Sequence, residues 1–324
     1  MDRKGQIIRP IEKELEEFKR LFDKSLQSTN PLLGEVLDYI KKRSGKMMRP
    51  MLVLLVAKLF STPNDSTQHA ALSLELLHTA SLVHDDVVDE SDKRRGQSSV
   101  NAIYKNKVSV LVGDYMLATS LKHASYSRKI ELVELVARLG QNLAEGEIIQ
   151  LANTMNREFS EEIYFDVIRK KTAALFRASA ESGAISVNAK PDDIEKAGLF
   201  GEMVGIAFQI KDDIFDYSEN KELGKPTGND MLEGKITLPA IYVLNRLNNA
   251  HLYEQALRIR GMKSSKEEIA QFVDLVKQEG GIDYAGKVMH DYRNQALALL
   301  PANADSEMVK ALTAYIDYVI EREN

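Results

Sequence analysis

The chain has 324 residues, with no cysteine, no tryptophan, 18 glycines and 8 prolines, and its 43 basic and 48 acidic side chains leave a net charge of −5. These figures exclude disulfides, thiolate-bound metal and thiol nucleophiles. They also argue against a broad nucleic-acid footprint and, with so few chain breakers, favour long helices over a turn-rich β protein.

Apolar residues recur at helical spacing along nearly the whole chain. Ile11, Leu15, Phe18, Leu21 and Phe22 begin the series. Further helices are expected over 31–42, 50–60, 67–89, 109–123, 130–153, 160–187, 192–217, 237–248, 265–279, 282–300 and 305–322. Pro31 and Pro50 suit first-turn positions. Ser265 with Glu268 reads as a capping box, and Gly280-Gly281 and Pro301 read as helix ends. No segment alternates long enough to predict a strand. The first residues lead into an acidic amphipathic stretch, not an apolar signal core. The longest apolar run, 51–60, contains Lys58 and is too short to span a bilayer. A cytoplasmic chain without a transmembrane segment is expected. Residues 72–83 and 201–210 are apolar nearly all round, the mark of helices buried inside a large bundle. A single all-α domain over 1–324 is therefore expected.

Two acidic clusters punctuate this pattern. One is Asp85-Asp86-Val87-Val88-Asp89, the other Asp212-Asp213-Ile214-Phe215-Asp216. In each, the three carboxylates project at about 0°, about 100° and about 40° around a helix, within one arc. Carboxylates so close repel one another unless a cation binds. One such cluster could be a solvated acidic turn. Two, each ending a very apolar helix and each followed by cations, point to metal. Oxygen ligands without cysteine favour Mg²⁺, which leaves positions open for substrate phosphate.

The cations follow suit. Lys93, Arg94 and Arg95 come after the first cluster, Lys225 and Lys235 after the second, and Lys170-Lys171-Thr172 lies between. Upstream, Lys46 and Arg49 sit beside Gly45 and Pro50, whereas Lys41 to Arg43 reads as a solvated helix face. Carboxylates holding metal, metal holding phosphate oxygens and Lys or Arg neutralising the rest together describe a diphosphate site. His78 falls about −20° from Asp85 on the same helix, and Gln209 stands three residues before Asp212, so each shares the acidic arc of its helix.

In this order the motifs resemble those of the trans-isoprenyl diphosphate synthases, the polyprenyl synthetases. They are Gly45-Lys46-x-x-Arg49-Pro50, Asp85-Asp86-x-x-Asp89, Arg94-Arg95-Gly96, Gly113-Asp114, Gly146-Glu147, Lys171-Thr172, Phe208-Gln209-x-x-Asp212-Asp213-x-x-Asp216, Gly224-Lys225-Pro226-x-Gly228-Asn229-Asp230 and Glu233-Gly234-Lys235. The resemblance implies an antiparallel helix bundle around a deep central cavity, of the isoprenoid synthase type, in a homodimer. It places the two Asp motifs across the cavity mouth. Asp85, Asp86, Asp89, Asp212 and Asp216 would hold Mg²⁺ on the allylic diphosphate, with Asp213 close by. Arg94, Lys171, Gln209, Lys225 and Lys235 would contact that diphosphate. Lys46, Arg49, His78 and Arg95 would bind isopentenyl diphosphate, and Thr172 would orient the reacting end.

The implied reaction ionises an allylic diphosphate, such as farnesyl diphosphate, and adds isopentenyl units head to tail. Bulky residues just before the first motif block the growing tail in this family. Here Ala80 and Ser81 are small, and the motif lacks the two-residue insertion of short-chain bacterial enzymes. Both features imply a long all-trans product, hexaprenyl to decaprenyl, for a quinone side chain, with a transient membrane contact at product release. The alternative is a geranylgeranyl or farnesyl diphosphate synthase. Other classes fit less well. Glu75-x-x-His78 has no second copy for a di-iron site, and Gly234-Lys235 lacks the glycine of a phosphate-binding P-loop. The second motif is not the Asn-Ser/Thr-Glu form of terpene cyclases. A non-catalytic partner subunit would lack the Asp and Arg sets.

Overall fold

The caps and apolar stripes read from the sequence set most helix boundaries. A computed structural model describes residues 3–43, 45–94, 96–153, 158–217, 228–302 and 304–321, and helix dominates them. The chain forms two compact units, Met1–Gln141 with Leu175–Gly201 and Leu299–Tyr318, and Asn142–Ala174 with Glu202–Ala298 and Val319–Asn324.

The first unit opens with α1 (Arg3–Ile8) and α2 (Glu12–Ser25), joined by a 3₁₀ turn. Next come α3 (Pro31–Lys41), α4 (Met48–Phe60), α5 (Asp65–Val88), the hairpin β1 (Lys93–Arg94) and β2 (Gln97–Ser98), and α6 (Val100–Tyr126). A reciprocal Asn64/Thr67 capping box starts α5. Residues Pro50 to Ala57 of α4 are all buried, as an all-round apolar helix requires.

Helices α5 and α6 pack antiparallel, and small polar residues let them approach. Ser73 and Ser120 are fully buried, and each hydroxyl donates to the other's carbonyl oxygen at 2.9 and 2.7 Å. One turn along, His69 and His123 share an Nδ1 to Nδ1 hydrogen bond of 3.0 Å. Burial pushes both imidazoles below their ordinary pKa, His123 to about 4.

Helix α7 (Ile130–Asn153) continues from the first unit into the second. There α8 (Glu161–Ile168) leads through a π-helical turn, Arg169–Ala173, into α9 (Ala174–Ser186), which from Leu175 on belongs to the first unit. Helix α10 (Pro191–Phe215) also runs through both units. The second unit then adds α11 (Asn229–Leu232), α12 (Leu238–Leu247), α13 (Ala250–Arg260), α14 (Lys266–Gln278) and α15 (Gly281–Ala298), before α16 (Ser306–Glu321). The Ser265/Glu268 capping box is present on α14. Tyr242 of α12 stacks on Tyr284 of α15 with ring centroids 4.0 Å apart.

Four details depart from the sequence reading. The stretch 160–187 is divided by the π turn, because Arg169–Ala173 closes wider hydrogen-bonded rings. Helix α13 fills a stretch read as connection, with the narrow stripe Leu252, Ala256 and Ile259 buried. Helix α6 starts nine residues earlier than periodicity indicates, because Ser99 caps it by accepting from the Ala102 N–H. Finally, the hairpin pairs only Lys93 with Ser98 and Arg94 with Gln97, too few residues for alternation to show.

Candidate active site

In the first unit the leading Asp motif ends α5. Asp85 and Asp86 occupy its last turn and Asp89 is the C-cap residue. That end of a helix carries the negative pole of the macrodipole, so three carboxylates there are doubly unfavourable without a cation. Asp85 is partly exposed and Asp89 exposed, whereas Asp86 is buried at 3%. Burial raises the Asp86 pKa, and the Arg94 guanidinium beside it works in the opposite direction. Arg94 Nε donates to Asp86 Oδ1 at 2.7 Å.

Arg94 reaches Asp86 because the hairpin is tied down. Tyr39 of α3 donates its hydroxyl to the Ser98 carbonyl oxygen at 2.7 Å. Arg43 donates to the same oxygen, with its guanidinium 3.7 Å from the Tyr39 ring centroid. Arg43 is therefore an anchor for the hairpin and not the solvated charge expected from its basic run. Sequence reading missed Tyr39 as well, since nothing local ties residue 39 to residue 98.

It also missed His84, next to Asp85. His84 Nε2 lies 3.5 Å from Asp114 Oδ1, and its ring occupies the space where a side chain at Gly113 would project. The Gly113-Asp114 motif thus seats His84 against α6: the glycine makes room and the carboxylate faces the imidazole.

The other expected residues of this unit lie on α4, on its approach and earlier on α5. Lys46 is exposed, 5.9 Å from the Tyr318 ring centroid, and the Arg49 guanidinium is 5.4 Å from that of Phe176. His78 is 9% exposed and Ala80 2%. Ser81 is partly exposed, and its hydroxyl donates to the His78 carbonyl oxygen at 2.9 Å.

In the second unit the other Asp motif ends α10, again at a negative helix pole. Asp212 and Asp216 are partly exposed. The Asp216 carboxylate accepts from the Asp230 N–H at 3.1 Å, and its pKa is raised to about 7, first by burial and then by the Asp230 charge. Asp213 differs. It is buried at 3%, accepts from the Tyr164 hydroxyl at 2.5 Å and from Gln209 Nε2 at 2.9 Å, and is pushed well above the usual carboxylate range by burial.

Gln209 in turn accepts from the Thr172 hydroxyl at 2.7 Å. Beside Thr172, the Lys171 ammonium donates to Glu147 and, at 3.0 Å, to Gln150 Oε1. Glu147 gives the Gly146-Glu147 motif its physical sense: a half-buried carboxylate that aims Lys171. Lys235 pairs with Glu233 at 2.6 Å, and its N–H donates to the Asp230 carbonyl oxygen at 2.8 Å. The structure thus links Thr172, Gln209 and Asp213 directly, with Lys171 adjoining. Arg95 and Lys225 lie outside the described residues.

Among the described residues, no three carboxylates or histidines stand together as a preformed metal cage. The donor set fits a hard cation of another kind. Mg²⁺ takes one or two carboxylates, keeps several waters and is completed by substrate phosphates. Asp85, Asp89, Asp212 and Asp216 are the carboxylates exposed enough to serve.

Comparison with known proteins decides the family. Residues 30–276 match the polyprenyl synthetase family model. The chain belongs to the polyprenyl synthetase family. Its members are trans-prenyltransferases with an all-α isoprenoid synthase fold, which this chain shares, and they bind diphosphate through a divalent metal. Octaprenyl diphosphate synthase of Haemophilus influenzae is 32% identical over 95% of this chain and 97% of its own length. The crystal structure of geranylgeranyl pyrophosphate synthase from Bacteroides thetaiotaomicron is 51% identical, with a TM-score of 0.87 over 99% of this chain and 100% of that one. Polyprenyl synthase from Caulobacter crescentus, complexed with calcium and isoprenyl diphosphate, is 31% identical, with a TM-score of 0.90 over 99% of this chain and 98% of that one.

Proposed function

We propose that this synthetase elongates an allylic diphosphate, such as farnesyl diphosphate, with successive isopentenyl diphosphates to a long all-trans chain, hexaprenyl to decaprenyl. The observation that carries the reading is the pair of Asp motifs, each at a negative helix end. One has Arg94 bonded to it, and the other is linked to Thr172 beside Lys171. Asp85, Asp89, Asp212 and Asp216 would hold Mg²⁺ on the allylic diphosphate, and the buried Asp86 would join them once Arg94 turns from it to the substrate. When bound, the metal stabilises the charge that gathers on the departing diphosphate. Arg94, Lys171, Gln209, Lys225 and Lys235 donate to the same oxygens, so the allylic C–O bond breaks heterolytically. Lys46, Arg49, His78 and Arg95 hold isopentenyl diphosphate, whose double bond attacks the allylic cation. Thr172 orients the reacting end, and the departing diphosphate takes the proton lost when the new double bond forms. The cation would need apolar walls that keep water from it.

Small residues at Ala80 and Ser81, the uninterrupted first motif and the octaprenyl relative support a long product for a quinone side chain. The 51% likeness to a geranylgeranyl pyrophosphate synthase favours a second reading, a short-chain product. Purified protein with Mg²⁺, farnesyl diphosphate and labelled isopentenyl diphosphate separates the two by product length. Extension by several units is expected, and products stopping after one or two additions would overturn the long-chain reading. No helix among the described residues is long and apolar enough to cross a membrane; a cytoplasmic location and a brief membrane contact at product release are part of the proposal. A homodimer is supported by exposed Val110, Leu111 and Leu121 on α6, Leu111 at 68%. Helices α7 and α10, each continuous through both units, support one working domain over 1–324.

A further inference from the structure

Tyr164 has no part in the reading above, yet it makes the shortest described contact to the second Asp motif's buried carboxylate. We propose that Tyr164 is a positioning residue: by occupying Asp213 Oδ2 it makes Asp213 a bridge that holds Gln209, and through Gln209 the Thr172 hydroxyl, in place for the reacting substrate. The inference rests on the prenyl-transfer reading for its consequence, and on geometry alone for its mechanism.

The geometry is a ladder between two helical runs. On α10, Gln209 and Asp213 are four residues apart and so share a face. On the facing run, Tyr164 and Thr172 are eight apart, which in an uninterrupted α-helix puts them about 80° out of line. The π turn Arg169–Ala173 begins between them and includes Thr172. Its wider rings turn less per residue, so Thr172 falls closer in phase to Tyr164 than the about 80° of an uninterrupted α-helix. The turn therefore brings both hydroxyls onto the face that meets Gln209 and Asp213. Three hydrogen bonds close the ladder: Tyr164 Oη to Asp213 Oδ2 at 2.5 Å, Gln209 Nε2 to Asp213 Oδ1 at 2.9 Å and Thr172 Oγ1 to Gln209 Oε1 at 2.7 Å. Both oxygens of Asp213 are engaged inside the protein, so it is the one acid of this motif turned away from ligand duty. The amide of Gln209 is oriented by the same bonds: its nitrogen faces the carboxylate, and its oxygen accepts from Thr172.

Tyr164→Phe removes one oxygen and keeps the ring, which packs edge-on against Phe165 at 5.2 Å. Turnover is expected to fall roughly tenfold, the scale of one lost hydrogen bond to a charged or buried group. The Mg²⁺ midpoint and the KM for isopentenyl diphosphate should stay within about twofold, since no metal or isopentenyl contact is touched. Thr172→Val should also slow turnover, and the double variant should be no slower than the worse single, because both break one chain. Multiplied effects, or a Mg²⁺ midpoint displaced in Tyr164→Phe, would overturn the proposal. A second measurement needs no catalysis. Melting of the metal-free protein in a cycle of Tyr164→Phe, Asp213→Asn and both should show coupling, and strict additivity would sink the ladder. If the wild-type protein transfers no prenyl group, the functional reading falls while the melting cycle still judges the ladder.

Discussion

The two Asp motifs have the same spelling and the same place at the C-terminal end of a helix, but their middle carboxylates live differently. Asp86 meets a guanidinium brought by a tethered hairpin. Asp213 meets a phenol and an amide, both uncharged. The first motif is thus held by charge and the second by neutral hydrogen bonds. A charged partner can be drawn away by an arriving anion such as diphosphate, whereas neutral donors make a fixed frame. One motif is built to respond to substrate and the other to stay in place.

The largest expected effect tests what the motifs share. Asp85→Ala and Asp212→Ala should each lower turnover by at least about a thousandfold, with helix content by circular dichroism unchanged. More than roughly a tenth of the wild-type rate in either variant would remove that motif from metal binding. Next comes the seat of the first motif. Gly113→Ala drives a methyl group into the His84 ring, which should cost about 1–3 kcal/mol of stability and slow turnover. Adding His84→Ala should restore the melting temperature, and no recovery would place the clash elsewhere.

Arg94→Ala breaks the difference itself. It leaves Asp86 buried without its cation and should destabilise by about 1–2 kcal/mol, discounted because the Arg94 side chain is 34% exposed. An unchanged melting temperature would show that the pair contributes nothing in solution. Ala80→Phe should shorten the product with little change in the first condensation, and an unchanged product spectrum would take Ala80 out of chain-length control. The smallest effect concerns a pair with no part in the proposed site. His69 and His123 are depressed below the ordinary 6.5, His123 to about 4. The folded chain resists protonation there, so the pair's stabilisation is full above about pH 6.5 and drains away as pH falls toward about 4. The melting temperature should drop by a few degrees over that window, and by less in His123→Gln.

Much of this was legible along the chain. Helical period placed α7 at 130–153 and α5 to within two residues, and Pro31 and the Ser265/Glu268 box placed the starts of α3 and α14 to within one. The clustered aspartates pointed to a cation because repulsion between near neighbours is a local effect. What escaped involved partners far apart in the chain: Tyr39 and Arg43 with Ser98, His84 with Gly113, Glu147 with Lys171, and Tyr164 with Asp213. No periodicity encodes such contacts, and each depends on how two helices pass.

By itself, then, the sequence determined an all-α chain with two carboxylate clusters, cations after each and no sulfur chemistry, since composition and spacing are local properties. Only the tertiary structure decided which aspartates stay available. Burial sets Asp86 and Asp213 apart from the other four, and the neighbouring donors, Arg94 for one and Tyr164 with Gln209 for the other, set them apart from each other.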